Sequence, residues 1–285
     1  MKKTFRSIIA LMCAILTIAC LLTSCGSDSG KTDAIEGGSD AVENEENDAA
    51  EVDTTATQVD KAAEVDNAIA TIGTVTLESK DAIAEAKAAY NALSTEDKAK
   101  VANYSVLEAA ETEYKALVDA EKANVLETYK SKFNVEVDKV QKLSWYMPKN
   151  MPEYIDERCY VIPYIGIQND NIWVAVRYNY TEDDWIFWEN LTIVADDETF
   201  YKTVGYYNTV RDNDAGYVWE YYDDTFNYNE SIDSTSFKQL KAMADATETI
   251  IRFEGDDYYY DLTLSSADKA MINDVLDMYE AYTKY

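Results

Sequence analysis

The chain reads as an α+β protein: a small helical bundle, then an aromatic-rich antiparallel β domain, sandwich-like, closed by a C-terminal helix. Three observations predict this. Apolar residues recur every three or four positions between about 59 and 130. The period falls to two after about 134, where most of the 23 tyrosines and 5 tryptophans lie. The helical period then returns in "SSADKAMINDVLDMYEAY" at the end of the chain.

The elements follow in order. Ala62, Val65, Ile69 and Ile72 fall on one helical face, and Gly73 is placed to end that helix in a left-handed conformation. Ile83, Ala86, Tyr90 and Leu93 repeat the stripe. Ser94 with Asp97 forms a capping-box variant that opens a short helix at "TEDKAKVA". Leu107, Ala110, Tyr114, Leu117 and Val118 define a last helix reaching about Tyr129. Segments 160–168, 172–180, 185–195, 200–207 and 217–223 alternate as strands, and 236–246 reads as a helix. "TIIRFEGDDYYYDLTL" predicts a hairpin turning at Gly255-Asp256, which pairs Phe253 with Tyr258, Ile251 with Tyr260 and Arg252 with Tyr259. Ser265 or Ser266 caps the final helix, with Ile272, Leu276 and Tyr279 inward.

The first 25 residues carry a different signal. Lys2, Lys3 and Arg6 form a basic head, and 8–22 is an uncharged apolar run, short of the ~20 residues that span a bilayer. Leu22-Thr23-Ser24-Cys25 resembles a bacterial lipobox, and a polar tail starts at once. The resemblance implies cleavage after Ser24, acylation of Cys25, and a durable lipid anchor on the outer face of a membrane. Residues 26–58 hold no aromatic residue and one basic residue, which predicts a disordered acidic stalk with an r.m.s. span of about 30 Å. The chain thus divides into a leader, 1–24; the lipidated cysteine and stalk, 25–58; a helical spacer, 59–130; and a β-rich domain with its helix, 131–285.

"AAYNAL", the capped short helix and the Asn103-Tyr104 joint together resemble a small helical module that recurs in Gram-positive cell-surface proteins, over 65–117. The resemblance implies a spacer or adaptor and carries no catalytic residue. "WYMPKNMPEYI" and "DDWIFWENLTI" are similar to a domain of uncharacterised bacterial lipoproteins, which implies no activity.

Composition narrows the chemistry. Loss of Lys2, Lys3 and Arg6 with the leader takes the formal charge from −29 to −32, so nucleic acid and anionic lipid are repelled. There is no histidine, which removes His-based triads and His-containing zinc sites. Cys13 and Cys20 leave with the leader and Cys25 is acylated, so Cys159 stands alone in an apolar stretch, as a small hydrophobe. No GxSxG, P-loop, GxGxxG or CxxC occurs.

Three chemistries remain. Trp173, Trp185 and Trp188 are candidates for stacking on a sugar or peptide, if they are not simply core. In the fourth-period strand "IWVAVRYNY", Trp173 and Arg177 share one face, Tyr178 and Tyr180 the other. Asp212, Asp214, Glu220 and Asp223 in "RDNDAGYVWEYYDD" are candidate calcium ligands. Yet Gly216 falls at loop position five instead of six, and a solvated hairpin turn explains the same residues. Glu220 with Asp223 is the one acid pair that suggests hydrolysis. The expectation is a non-catalytic binding or envelope-structural protein on the membrane's outer face, calcium its one suggested cofactor. Its partners would be the membrane, a cell-wall polymer or an envelope protein, and no nucleic acid. The alternatives are a carbohydrate-binding accessory lipoprotein and, behind it, a hydrolase.

Overall fold

Each helix forms where the apolar stripe predicts, and most begin at a residue able to cap them. The computed structural model describes residues 60–214 and 216–285; the leader, Cys25 and the acidic stalk lie outside the described residues. Helix α1 (Lys61–Ile72) is capped by Asp60, whose Oδ1 accepts from the backbone N–H of Ala62 and Ala63. It stops at Gly73, with φ +61 and ψ −140. That is not the left-handed helical region predicted, but a conformation still open essentially to glycine alone. Helix α2 (Lys80–Asn91) follows, then the short α3 (Thr95–Lys98), where Ser94 Oγ accepts from Asp97 N–H and donates to its carboxylate. Helix α4 (Tyr104–Tyr129) is 26 residues long, about 39 Å.

The helical core is Val65, Ile69, Ile72, Ile83, Ala86, Leu93, Leu107 and Ala110. The joint at Asn103-Tyr104 has a specific cause. The Asp66 carboxylate of α1 accepts from the N–H of Ala102 and Asn103, at 3.1 and 2.8 Å, and Tyr104 stacks on Tyr90 with centroids 4.1 Å apart. Helix α4 serves two cores. Its first turns bury Leu107 and Ala110 among α1 and α2; its last bury Val125 against the β domain, and Lys122 sits over the Tyr282 ring.

The β domain holds two antiparallel sheets. One has the order β1-β2-β3-β4-β8-β7: Phe133–Asp138, Leu143–Pro148, Tyr160–Gln168, Asn171–Glu182, Tyr217–Thr225 and Val210–Asp214. The other has the order β10-β9-β5-β6: Tyr259–Thr263, Thr249–Glu254, Asn190–Ala195 and Glu198–Thr203. Between them lies the main core: Val161, Ile165, Val174 and Val176 from the first sheet, and Leu191, Ile193, Ile251 and Phe253 from the second. Helix α5 (Thr235–Asp245) adds Phe237 and Met243; helix α6 (Ser266–Thr283), capped by Ser265, adds Ile272, Leu276 and Tyr279.

The far face of the six-stranded sheet is also packed. Trp145, Tyr164 and Trp173 cluster there, and Arg177 forms a bidentate pair with Asp223 directly across the strands. Gly166 is required at this spot. A Cβ on it would fall 2.3 Å from the Trp173 ring and 2.8 Å from that of Trp145.

Two sequence expectations need correction. The strand expected at 185–195 begins only at Asn190, because 183–189 is a loop with its own hydrogen bonds. The hairpin is also shifted. Gly255 does not adopt a positive φ, which a two-residue hairpin turn led by it requires. Residues 255–258 instead form a four-residue turn closed by Gly255 N–H donating to Tyr258 O, at 2.9 Å. Phe253 therefore faces Tyr260, Ile251 faces Leu262 and Arg252 faces Asp261. A shift of two keeps every side chain on its expected face. Phe253 is buried, and Arg252 lies 4.0 Å from the Tyr259 ring centroid while pairing with Asp261.

Phe253→Ala is expected to cost about 3–5 kcal/mol in urea unfolding. Gly166→Ala should cost about 1–3 kcal/mol by overpacking. Arg252→Ala, at the surface, should cost far less than either. A Phe253→Ala effect as small as that of Arg252→Ala would contradict the packing.

Candidate functional site

Glu220 organises the most unusual part of the surface. It sits on β8, directly across from Arg211 on β7, and its side chain points into the protein, fully buried. Its Oε1 accepts from the backbone N–H of Ile186 and Phe187, at 2.9 and 2.8 Å, and its Oε2 from that of Trp188, at 3.1 Å. Arg211 Nε donates to the same Oε2 at 3.0 Å. Three successive N–H groups converge on one carboxylate only if the chain alternates hand, forming an anion-binding nest. Phe187 supplies the turn, with φ +52. For a bulky residue that conformation costs about 1–2 kcal/mol.

A second loop, 204–209, is sewn to the first. Val204 and Gly205 N–H donate to Glu189 O, and Thr209 Oγ1 to Trp188 O. Arg211 Nη1 donates to Tyr206 O at 2.6 Å and Nη2 to Trp188 O at 3.2 Å. Gly255 closes the third side, since a Cβ there would lie 2.0 Å from Ile186 O.

This frame holds a row of rings at the surface. Trp185 stacks on Phe187, with centroids 5.7 Å apart and planes 15° apart; Phe187 stacks on Tyr206 at 6.4 Å and 27°. Tyr207 meets Tyr206 edge-on at 5.4 Å, and the Arg211 guanidinium lies 4.2 Å from the Tyr206 centroid. Phe187 and Tyr206 are each 45% exposed and Tyr207 is 97% exposed. Such a patch offers flat apolar contact without rearrangement of its backbone.

The residues singled out from sequence divide clearly. Trp173 and Trp188 are buried, at 1% and 0% exposure, and are core residues instead of stacking platforms. Trp185 is half-buried and belongs to the row of rings. The four candidate calcium ligands are not brought together. Strand alternation sends Glu220 to one face of β8 and Asp223 to the other. Asp212 and Asp214 stand exposed on β7, while Asp223 lies four residues beyond the partner of Asp212, about 13 Å along the strand. Asp223 is already bound to Arg177, and Glu220 to Arg211. Among the described residues, no group of three or more acidic or cysteine side chains is placed to hold a metal ion. The same opposed faces keep Glu220 and Asp223 from acting as one acid–base pair. Burial pushes the Cys159 thiol up to about 11, and it exchanges hydrogen bonds with the Thr181 backbone.

Sequence reasoning missed Phe187, Tyr206, Tyr207 and Arg211. The available signal was local: bulky rings in "DDWIFWEN" and "GYYN" sit beside turn-forming Asp, Gly and Asn, where a core ring has little reason to be. Comparison of the chain with protein-family models, with curated proteins and with solved structures finds no match. The class is therefore defined by its own architecture: an α+β protein with a rigid aromatic platform on its β domain.

Glu220→Gln places an amide nitrogen against backbone donors and leaves Arg211 unpaired. It is expected to cost about 3–5 kcal/mol, read by urea unfolding, and to change the tryptophan fluorescence. In a fragment spanning 60–285, which contains one cysteine, Cys159 should resist alkylation at pH 8 until urea unfolds the protein. Rapid native alkylation would contradict its burial.

Proposed function

We propose that this chain is a lipid-anchored extracytoplasmic protein with a non-catalytic binding role, and that the ring platform receives a glycan. The observation that carries the reading is the row Trp185–Phe187–Tyr206, held exposed by a strained backbone and a buried carboxylate. A contiguous exposed aromatic patch marks an interaction surface more often than it marks packing. A pyranose presents a flat C–H face suited to such rings, and neighbouring hydroxyls suit exposed carboxylates. The lipobox resemblance at Cys25 places this surface beside a cell envelope, where glycans are abundant. Among the described residues, no helix is long and apolar enough to cross a membrane.

Phe187→Gly separates binding from folding. Glycine relieves the positive-φ cost while deleting the central ring, so stability should hold or rise. Retardation in gels containing wall polysaccharide should fall. Unchanged retardation would sink the platform reading and leave an envelope-structural role. For the anchor, Cys25→Ala should abolish fatty-acid labelling and release the protein or leave an unprocessed precursor. Label retained on that variant would contradict the assignment.

A further inference from the structure

We infer that the glycan received by the platform carries free amino groups; the inference rests on the platform being the binding surface and names the chemistry of its occupant. The rings are bordered by carboxylates from two directions. Asp183 and Asp184 immediately precede Trp185 and are exposed; Asp184 Oδ1 accepts from Trp185 N–H, leaving its second oxygen open. The close approach of Gly255 to the Ile186 and Phe187 carbonyls brings the exposed Asp256 and Asp257 alongside Phe187.

The cations of the surrounding strands are engaged elsewhere. Lys202 pairs with Asp224, Arg211 with Glu220 and Arg252 with Asp261. Among the described residues, no lysine or arginine forms an ion pair with Asp183, Asp184, Asp256 or Asp257. The platform therefore joins exposed ring faces, which are the negative side of the aromatic quadrupole, to a rim of uncompensated negative charge.

That combination discriminates among glycans. A phosphate- or uronate-bearing polymer is repelled. A neutral sugar gains the ring contact alone. A de-N-acetylated amino sugar gains both: its C–H face lies on a ring, while its ammonium meets a carboxylate or a neighbouring ring face. The electrostatic share is exposed to solvent, so salt should screen it over about 10 Å at 0.1 M.

The test uses the full chain in a neutral detergent, titrated calorimetrically with glucosamine tetramers and with N-acetylglucosamine tetramers, at 20 and 500 mM sodium chloride. The glucosamine tetramer is expected to bind about tenfold tighter at low salt, with most of the advantage lost at high salt. Asp256→Asn/Asp257→Asn combined with Asp183→Asn/Asp184→Asn should erase the advantage and leave acetylated-tetramer binding unchanged. Phe187→Gly, which keeps every carboxylate, should weaken both. Equal affinity for the two tetramers, or an advantage that survives the Asn variant, overturns the amine inference while the platform reading stands. Undiminished glucosamine binding in Phe187→Gly shows mere attraction to an acidic chain and overturns the inference as well. Binding of neither tetramer overturns both readings.

Discussion

One buried carboxylate sets the shape of the surface. Glu220 receives three consecutive backbone N–H groups and a guanidinium, and with them four of its lone-pair positions are filled. An unpartnered charge at this depth would cost several kcal/mol, so the loop and Arg211 are fixed by the need to satisfy it. The loop responds by holding Phe187 at positive φ, and the ring is turned outward between Trp185 and Tyr206. Strain, burial and exposure are thus one arrangement seen from three sides.

The same strand carries a second ion pair on its other face. Asp223 meets Arg177 of β4 directly across the ladder, as Glu220 meets Arg211 of β7. A one-residue slip of either neighbour would strand a buried charge and send every side chain to the wrong face. These two pairs are therefore best understood as fixing strand register around β8, with net stability supplied by the apolar core. Helix α4 extends this order outward. It is built into both cores, so its backbone forms a continuous connection between the helical bundle and the β domain.

What could be read from the sequence follows from the range of the forces involved. Helix stripes and caps are local, and Ala62, Val65, Ile69, Ile83 and Leu107 are buried as their spacing requires. Period-two alternation correctly assigned the faces of β9, even though the turn length was misjudged. Gly255 looked like a turn residue but is needed for its missing side chain, against a loop some 70 residues earlier in the chain. Non-local polar contacts were illegible for the same reason. Nothing in "KAAEVDNAIATI" announces that Asp66 will hold the start of α4, and nothing in "YVWEYYD" announces that Glu220 will bind residues 186–188. The tryptophans failed as site markers because a ring's chemistry is the same in core and platform; only the fold separates Trp173 and Trp188 from Trp185.

The central claim is that the Glu220 nest makes the platform a rigid part of the fold. Amide hydrogen exchange at Ile186, Phe187 and Trp188 tests it most directly. The account predicts that these three amides exchange as slowly as the core strands β4 and β5, through global unfolding. Exchange at the rate of an exposed loop, while β4 and β5 stay protected, would contradict it.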